Sequence, residues 1–250
     1  MTALRSLLFN IYFLLLSVVL GTLYLPYLLF PPRFFWPAAR LWVRLSLGGL
    51  RLICGLDSRI EGRQHLPRGG GLVAAKHQSA WDTLIFALLL PAPAMVLKRE
   101  LLHIPFFGWY LRHLDMIAID RRRGATALQD MLRQARQRVA DGRQIVIFPE
   151  GTRSPPGVAG RYQPGIAALY KTLGIPVTPV ALNSGRFWGR RAFNKRPGTI
   201  RLRALPPIPS GLPRPAFMER LKSSIEGGTA ELDRQSGVPP LRPDPTPRTD

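Results

Sequence analysis

The sequence predicts an α/β domain in which helices cover a mostly parallel β-sheet, preceded by an N-terminal membrane-associated helical segment. Three observations predict this architecture. Short apolar runs alternate with helical patterns after Gly55, which is typical of parallel sheets. Residues 6–32 contain no charged residue. The 250 residues carry 35 lysines and arginines against 15 acidic residues, a formal net charge of +20, which favours an anionic partner such as nucleic acid, a phospholipid surface or an acidic carrier.

The uncharged stretch is long enough to cross a bilayer, because a helix needs roughly 20 apolar residues to span the hydrocarbon core. A cleaved signal peptide is the alternative, since Arg5 precedes the apolar run. The run is longer than the apolar core of a typical signal peptide, and Tyr24, Pro26 and Tyr27 do not resemble a small-residue cleavage site. We therefore predict a retained membrane anchor.

The next segment, residues 34–53, combines aromatic side chains with arginines. Arg40, Arg44 and Arg51 fall on one side of a helix. Cations beside tryptophans are typical of a helix that lies among lipid headgroups, and an amphipathic helix packed on the following domain is the alternative. Residues 1–56 are thus predicted to form membrane-anchoring helices, residues 57–235 the α/β domain, and residues 236–250 a Pro- and Arg-rich disordered tail.

Within the α/β domain, strands and helices are predicted in alternation. Buried strands are predicted at residues 71–76, 95–97, 116–120, 145–148 and 177–182. Helices are predicted at residues 81–90, 125–141 and 166–173, the second of which repeats apolar residues at i, i+3, i+4, i+7 and i+11 and ends before Gly142. At residues 200–204, apolar residues alternate with Arg201 and Arg203, which predicts a half-exposed edge strand.

The cysteine and histidine content argues against a metal enzyme. The single cysteine, Cys54, excludes an intramolecular disulfide framework and a cysteine-rich zinc site. The four histidines are scattered and form no dense cluster. No Gly-x-Ser-x-Gly motif places a serine nucleophile at a strand end. We predict no metal and no cofactor.

Polar residues follow three of the predicted strands, at the edge where ligands of open α/β sheets bind. His77 follows one strand, Arg121 another, and the segment 149–154 a third. His77 and Asp82 can meet across the connecting turn, where the imidazole accepts a proton from a hydroxyl and the carboxylate fixes its tautomer. The structural alternative makes Asp82 a favourable residue of a first helical turn and His77 an ordinary satisfied polar side chain.

The segment 148–154 concentrates polar groups at one strand end, with the sequence Phe-Pro-Glu-Gly-Thr-Arg-Ser. Gly151 permits a tight turn with exposed amide groups, and Arg153 can bind a phosphate through a forked pair of N–H donors. Alone, either residue fits a surface turn. Together with His77 and Asp82 in this order, they favour a functional site.

With these motifs the sequence resembles the glycerolipid acyltransferases. His77 and Asp82 match the family's His-x4-Asp motif, and residues 98–121, which include Lys98 and Arg121, look like its second block. Residues 148–154 match the third block, and residues 175–180 are similar to the fourth, apolar and proline-bearing one. Lys76 departs from the asparagine that many members carry.

The resemblance implies a glycerolipid acyltransferase-like fold and the transfer of a fatty acyl group from acyl-ACP or acyl-CoA to the sn-2 hydroxyl of 1-acyl-sn-glycerol-3-phosphate, which forms phosphatidic acid. His77 would deprotonate that hydroxyl and Asp82 would hold His77, without an acyl-enzyme. Amide groups near Gly151 would stabilise the oxyanion. The acceptor phosphate would be held by Lys98, Arg121 and Arg153. Its glycerol site would be shaped by Glu150 and Gly151, and Thr152 is a further implied substrate-binding residue.

The implied partners are lysophosphatidic acid, an acyl carrier protein or coenzyme A thioester, and an anionic phospholipid membrane. The implied location is the bacterial cytoplasmic membrane, with the catalytic domain facing the cytoplasm. Residues 151–218 carry cations and no acidic residue, which agrees with anionic partners. Two alternatives stay open: a same-family enzyme acting on another lysolipid such as lyso-ornithine lipid, and a membrane-anchored nucleic-acid-binding protein. The second gives no reason for the His77–Asp82 pair, so no nucleic acid partner is expected.

Overall fold

The computed structural model describes residues 1–237, so the predicted tail at residues 236–250 lies outside the described residues except for its first two positions. Helices and strands alternate along the chain. The helices are α1 (Thr2–Leu23), α2 (Trp36–Cys54), α3 (Trp81–Leu89), α4 (Phe107–His113), α5 (Gly124–Ala140), α6 (Pro164–Leu173) and α7 (Arg214–Gln235). The strands are β1 (Leu56–Glu61), β2 (Gly71–Ala75), β3 (Pro93–Lys98), β4 (Ile117–Ile119), β5 (Gln144–Ile147), β6 (Val177–Leu182) and β7 (Gly198–Ala204).

The strands form one sheet in the order β1-β7-β6-β2-β5-β3-β4, in which β6 and β7 are the antiparallel pair. Because side chains alternate across a strand, β2 feeds two separate cores. Val73 and Ala75 face the layer that contains α2 and α3, whereas Leu72 and Ala74 face α5, α6 and α7. The predicted mostly parallel, helix-covered sheet is confirmed.

The prediction that residues 200–204 form an edge strand is wrong. Strand β7 lies between β1 and β6, and β1, which the sequence analysis missed, covers its outer side. The arginines of β7 are tolerated there because Glu61 of β1 pairs with both: Arg203 Nε lies 2.8 Å from one carboxylate oxygen and Arg201 Nη1 lies 3.4 Å from the other. Alternation alone cannot separate an edge strand from an inner strand whose charges are paired.

Helix α7 was also missed, although it packs along one face of the sheet. Its buried apolar residues recur every four positions, as Phe217, Leu221 and Ile225, which is helical spacing. Two consecutive glycines, Gly227 and Gly228, interrupt the pattern, and glycine is a poor helix former. Packing against the core therefore overrides local propensity in this segment.

Helix α1 is the one helix within residues 1–237 that is long and apolar enough to cross a membrane, by length and composition. It is fastened to the rest of the protein near both ends. Ser6 Oγ accepts the N–H of Lys195 at 2.9 Å, and Lys195 Nζ donates to Asn10 Oδ1 at 2.5 Å. At the other end, Tyr110 Oη donates to the carbonyl oxygen of Gly21 at 2.5 Å. A row of large apolar side chains stays exposed along the helix: Leu7, Leu8, Leu14, Leu15, Val18 and Val19.

Helix α2 packs on the α/β domain through one face, as the alternative interpretation of this segment predicted. Val43 and Leu50 are buried in the core. Arg40 donates to the carbonyl oxygens of Ala87 and Pro91 at the end of α3, so its charge faces the domain. The opposite face of α2 leaves three leucines exposed: Leu41, Leu45 and Leu52.

The two N-terminal helices pack against each other at Gly49, which lies against the ring of Tyr12. A Cβ atom at this position would lie 2.1 Å from Cε1 of Tyr12, so a larger residue would displace the Tyr12 ring. Tyr12 Oη donates to the carbonyl oxygen of Leu45 at 2.9 Å. The helices therefore form a specific hairpin.

Candidate active site

The carboxyl ends of neighbouring strands bring the predicted polar residues to one edge of the sheet. Strands β2 and β5 are parallel neighbours, so His77 after β2 and Glu150 after β5 lie side by side. Strand β4 ends at Ile119, two residues before Arg121. The edge predicted from strand order is therefore the edge where these residues meet.

His77 and Asp82 form a direct pair across the turn between β2 and α3. The Nδ1 atom of His77 lies 3.0 Å from Oδ2 of Asp82. The imidazole stacks on the ring of Phe148, with centroids 4.1 Å apart and planes 20° from parallel, and its side chain is 13% exposed. Nδ1 is thus committed to the carboxylate, which leaves Nε2 as the nitrogen that can face a hydroxyl group.

Asp82 is completely buried and every partner that it contacts is a donor. Its Oδ2 accepts the backbone N–H groups of Gln78 at 2.7 Å and Ser79 at 2.8 Å. Its Oδ1 accepts the hydroxyl of Ser184 at 2.5 Å. These donors offset the cost of burying a carboxylate, and their fixed positions also set the orientation of the His77 ring.

Ser184 is a site residue that the sequence analysis missed. It follows β6 directly after Asn183, and β6 is the other parallel neighbour of β2. The same rule that selected His77 and Glu150, a polar residue at the carboxyl end of a parallel strand, applies to this position. The signal was therefore present in the sequence.

Glu150 occupies a different place from the one expected for a residue that shapes a substrate site. Its side chain is 1% exposed. Oε1 accepts from Nζ of Lys76 at 2.6 Å and from the N–H of Gly160 at 3.1 Å, and Oε2 accepts the N–H of His77 at 3.2 Å. These protein donors occupy both oxygens, so Glu150 holds the chain around His77.

Gly151 and Arg121 lie against each other. Gly151 has a φ of +69°, a left-handed conformation that favours glycine, and a Cβ atom there would lie 3.1 Å from a terminal nitrogen of Arg121. The N–H of Gly151 donates to the carbonyl oxygen of Phe148 at 2.9 Å, so this amide is engaged within the turn. Ser154 connects this turn to the His77–Asp82 pair, because its N–H donates to the carbonyl oxygen of His77 at 2.8 Å.

The expected phosphate-binding cations have no acidic partner within the described part of the chain. Asp120, the nearest acid in sequence to Arg121, pairs with Arg122 at 3.2 Å and Arg99 at 4.0 Å, and the hydrogen bond from Arg122 lowers the pKa of Asp120. Lys98 is exposed at the end of β3, in register with Ile119 of β4, and Arg153 is half-buried. The three expected phosphate-binding cations therefore remain available for an anionic ligand: Lys98, Arg121 and Arg153.

Neither a metal nor a cysteine nucleophile is indicated in residues 1–237. No group of three or more His, Cys, Asp or Glu residues in this part of the chain could hold a metal ion. Cys54 is buried at the end of α2, and burial raises the pKa of its thiol, which makes a thiolate unfavourable.

Comparisons with known proteins agree with this geometry. The acyltransferase family model matches residues 57–183. A 1-acyl-sn-glycerol-3-phosphate acyltransferase from Pseudomonas aeruginosa is 34% identical, over 92% of this chain and 90% of its own. The human 1-acyl-sn-glycerol-3-phosphate acyltransferase alpha is 28% identical, over 73% of this chain and 67% of its own.

The fold has a match among solved structures. The crystal structure of PlsC, the 1-acyl-sn-glycerophosphate acyltransferase of Thermotoga maritima, superposes with a TM-score of 0.77 at 23% identity, covering 93% of this chain and 98% of that one. This likeness concerns the fold. Taken with the match to the family model and to the Pseudomonas relative, it shows that the chain belongs to the acyltransferase family.

Proposed function

We propose that this acyltransferase moves a fatty acyl group from an acyl thioester to the sn-2 hydroxyl of 1-acyl-sn-glycerol-3-phosphate, forming phosphatidic acid. The observation that carries the proposal is the His77–Asp82 pair, joined at 3.0 Å beside cations that lack an acidic partner in residues 1–237. The relatives named for this activity support the same acceptor.

The proposed reaction is a direct transfer with His77 as general base. Nε2 takes the proton of the sn-2 hydroxyl while the hydroxyl oxygen attacks the thioester carbonyl carbon. The tetrahedral intermediate then expels the thiolate, which takes the proton back from the imidazolium as the C–S bond breaks. Asp82 stabilises the imidazolium throughout, and Ser184 donates to Asp82 and is therefore not placed as a nucleophile.

The acceptor phosphate would lie over the turn at Gly151. Arg121 is already beside this glycine, and Lys98 and Arg153 complete a set of three cations around a phosphate monoester that carries up to two negative charges. Exposed Thr152 adds a hydroxyl donor to the turn. With the Gly151 amide engaged, the N–H groups of Thr152 and Arg153 are the ones we propose for the oxyanion.

Replacement of Arg153 by alanine tests the acceptor assignment. Each charge-assisted contact contributes about 1.5–3 kcal/mol, so we expect the KM for lysophosphatidic acid to rise about tenfold or more and the KM for the acyl thioester to change little. Two-substrate steady-state kinetics on the detergent-solubilised protein measures both constants. Arg161→Ala is the matched control, because Arg161 is an exposed arginine of the same loop and is outside the proposed site.

Two outcomes would contradict this assignment. A raised KM for the thioester with an unchanged KM for lysophosphatidic acid would assign Arg153 to the donor site. A wild-type preference for an acceptor without phosphate, such as lyso-ornithine lipid, would replace the acceptor and leave His77 and Asp82 in their roles. Running acyl-ACP and acyl-CoA in parallel identifies the thioester donor.

We propose that the protein binds the bacterial cytoplasmic membrane through residues 1–56, and that the catalytic domain at residues 57–235 faces the cytoplasm. The exposed apolar row of α1 supports the membrane-binding role. The excess positive charge of the chain supports attraction to anionic lipid.

Acidic substitutions on the exposed face of α1 test the anchor without removing the buried side of the hairpin. Each large apolar side chain transferred from lipid to water loses about 1.5–3 kcal/mol, so the Leu15→Asp, Val18→Asp variant should leave the membrane fraction. Thr126→Asp, Gln129→Asp has the same spacing and charge change on exposed positions of α5 and should stay bound. Sedimentation with vesicles containing anionic lipid measures both, and equal sedimentation of the two variants would argue against the anchor.

A further inference from the structure

A buried cluster of charged residues lies behind the His77 turn, on the opposite side of the sheet from Asp82. Its centre is Lys76, whose side chain is 1% exposed. Nζ donates to Oε1 of Glu150 at 2.6 Å, to the carboxylate of Glu226 at 2.9 Å and to the carbonyl oxygen of Val158 at 3.0 Å. An ammonium group has three protons, so these three acceptors use its full capacity.

The cluster connects α7 to the backbone of His77. Glu226, on α7, accepts hydrogen bonds from Nζ of Lys76 with both carboxylate oxygens. Lys76 in turn fixes Oε1 of Glu150, and Oε2 of the same carboxylate accepts the N–H of His77 at 3.2 Å. Three contacts therefore lead from a helix outside the family's motifs to the residue that carries the imidazole.

The cluster contains one ammonium group and two carboxylates. Glu150 balances the charge of Lys76, and Glu226 is the second carboxylate. Tyr162 Oη donates to Oε1 of Glu226 at 3.0 Å, and its pKa is raised by burial and by the nearby Glu226 charge, so it stays a neutral donor. Buried ion clusters are weak contributors to stability compared with apolar packing, whereas their directional contacts fix geometry.

We infer that Glu226 is a positioning residue for His77, acting through Lys76 and Glu150. This inference rests on the proposed acyl transfer, in which a general base must lie within hydrogen-bond reach of the attacking hydroxyl. Glu226 touches neither the imidazole nor the expected substrate site. Its contribution is to hold Lys76 so that Glu150 keeps the His77 turn in one position.

Removal of the Glu226 side chain should lower kcat and leave both KM values within about twofold. Glu226→Ala frees Lys76 on one side, and misplacement of a catalytic group by about 1 Å can cost up to about 100-fold, so we expect a loss of about tenfold or more. Glu226→Gln keeps one acceptor oxygen for Lys76 and Tyr162 but replaces the other with an amide donor that faces the ammonium group. It should therefore lose less activity than Glu226→Ala. Glu219→Ala is the matched control, because Glu219 is exposed on the same helix.

A structural readout separates this inference from the proposed function. The chain has four histidines, so labelling with 15N-histidine gives four backbone amide signals in the full-length protein in detergent, and the His77→Gln variant identifies one of them. We expect Glu226→Ala to shift the His77 amide signal, Glu226→Gln to shift it by a smaller amount, and Glu219→Ala to leave it near its wild-type position. Tyr162→Phe, which removes only the bond to Glu226, should shift it less.

Failure of the positioning role and failure of the proposed acyl transfer give different results. If the His77 signal does not move in Glu226→Ala, or if kcat is unchanged while the signal moves, the positioning role is overturned. If Glu226→Ala does not fold, Glu226→Gln and Tyr162→Phe decide through the same signal. If the wild type does not acylate lysophosphatidic acid, the proposed function fails and the amide shift still reports whether Glu226 holds the His77 turn.

Discussion

Replacing His77 by alanine is expected to lower kcat by about 10²- to 10⁴-fold, the contribution of a positioned general base. The loss should fall on kcat, since the cations proposed for the acceptor phosphate stay in place. The fold should persist, because the imidazole is a partly exposed group at a strand end. Single-turnover and steady-state rates with lysophosphatidic acid measure the effect, and a thermal unfolding curve checks the fold.

His65→Ala is the matched control for this experiment. His65 lies in the short helical turn before β2, and β2 separates it from His77, so its loss should leave turnover near the wild-type value. Near-normal turnover of the His77→Ala protein would remove His77 from the reaction.

Replacing Asp82 by asparagine is the second change with a large expected effect, again about 10²- to 10⁴-fold in kcat. The imidazolium loses its charged partner at 3.0 Å, so proton transfer to His77 becomes less favourable. The protein should also become less stable. All partners of Asp82 donate hydrogen bonds, and the amide group of asparagine would bring a further donor into this shell.

Ser184→Ala provides the graded comparison for Asp82→Asn. It removes one donor and keeps the negative charge, and one hydrogen bond to a charged group contributes about 1.5–3 kcal/mol. We expect a smaller loss of kcat than in Asp82→Asn, together with a lower unfolding temperature. Equal activities of Asp82→Asn and wild type would show that the carboxylate charge is not needed.

The parts of the site that depend on neighbouring residues were predictable from the sequence. His77 and Asp82 are five residues apart, and the short turn between β2 and α3 brings them together. The same holds for Gly151, since a tight turn after β5 needs a residue that tolerates its φ of +69°. Local pattern and strand order were sufficient for these predictions.

The parts that depend on distant partners were not predictable in this way. Lys76 and Glu226 are 150 positions apart, and Arg201 and Glu61 are 140 apart. Whether a charge is buried and paired or exposed is decided by such contacts. This is why Glu150 was expected at the substrate, and why β7 was expected at the edge of the sheet.

The two attachments of α1, at Lys195 and at Tyr110, have a consequence for the geometry of catalysis at a lipid surface. A helix held at both ends cannot tilt independently, so any membrane that receives α1 also sets the height and inclination of the strand ends that carry His77. The enzyme would then meet lipid substrates by lateral diffusion, and the His77 imidazole would lie at the same height relative to the membrane in every encounter. A lysolipid could present its glycerol to such an enzyme while its acyl tail stays in the bilayer.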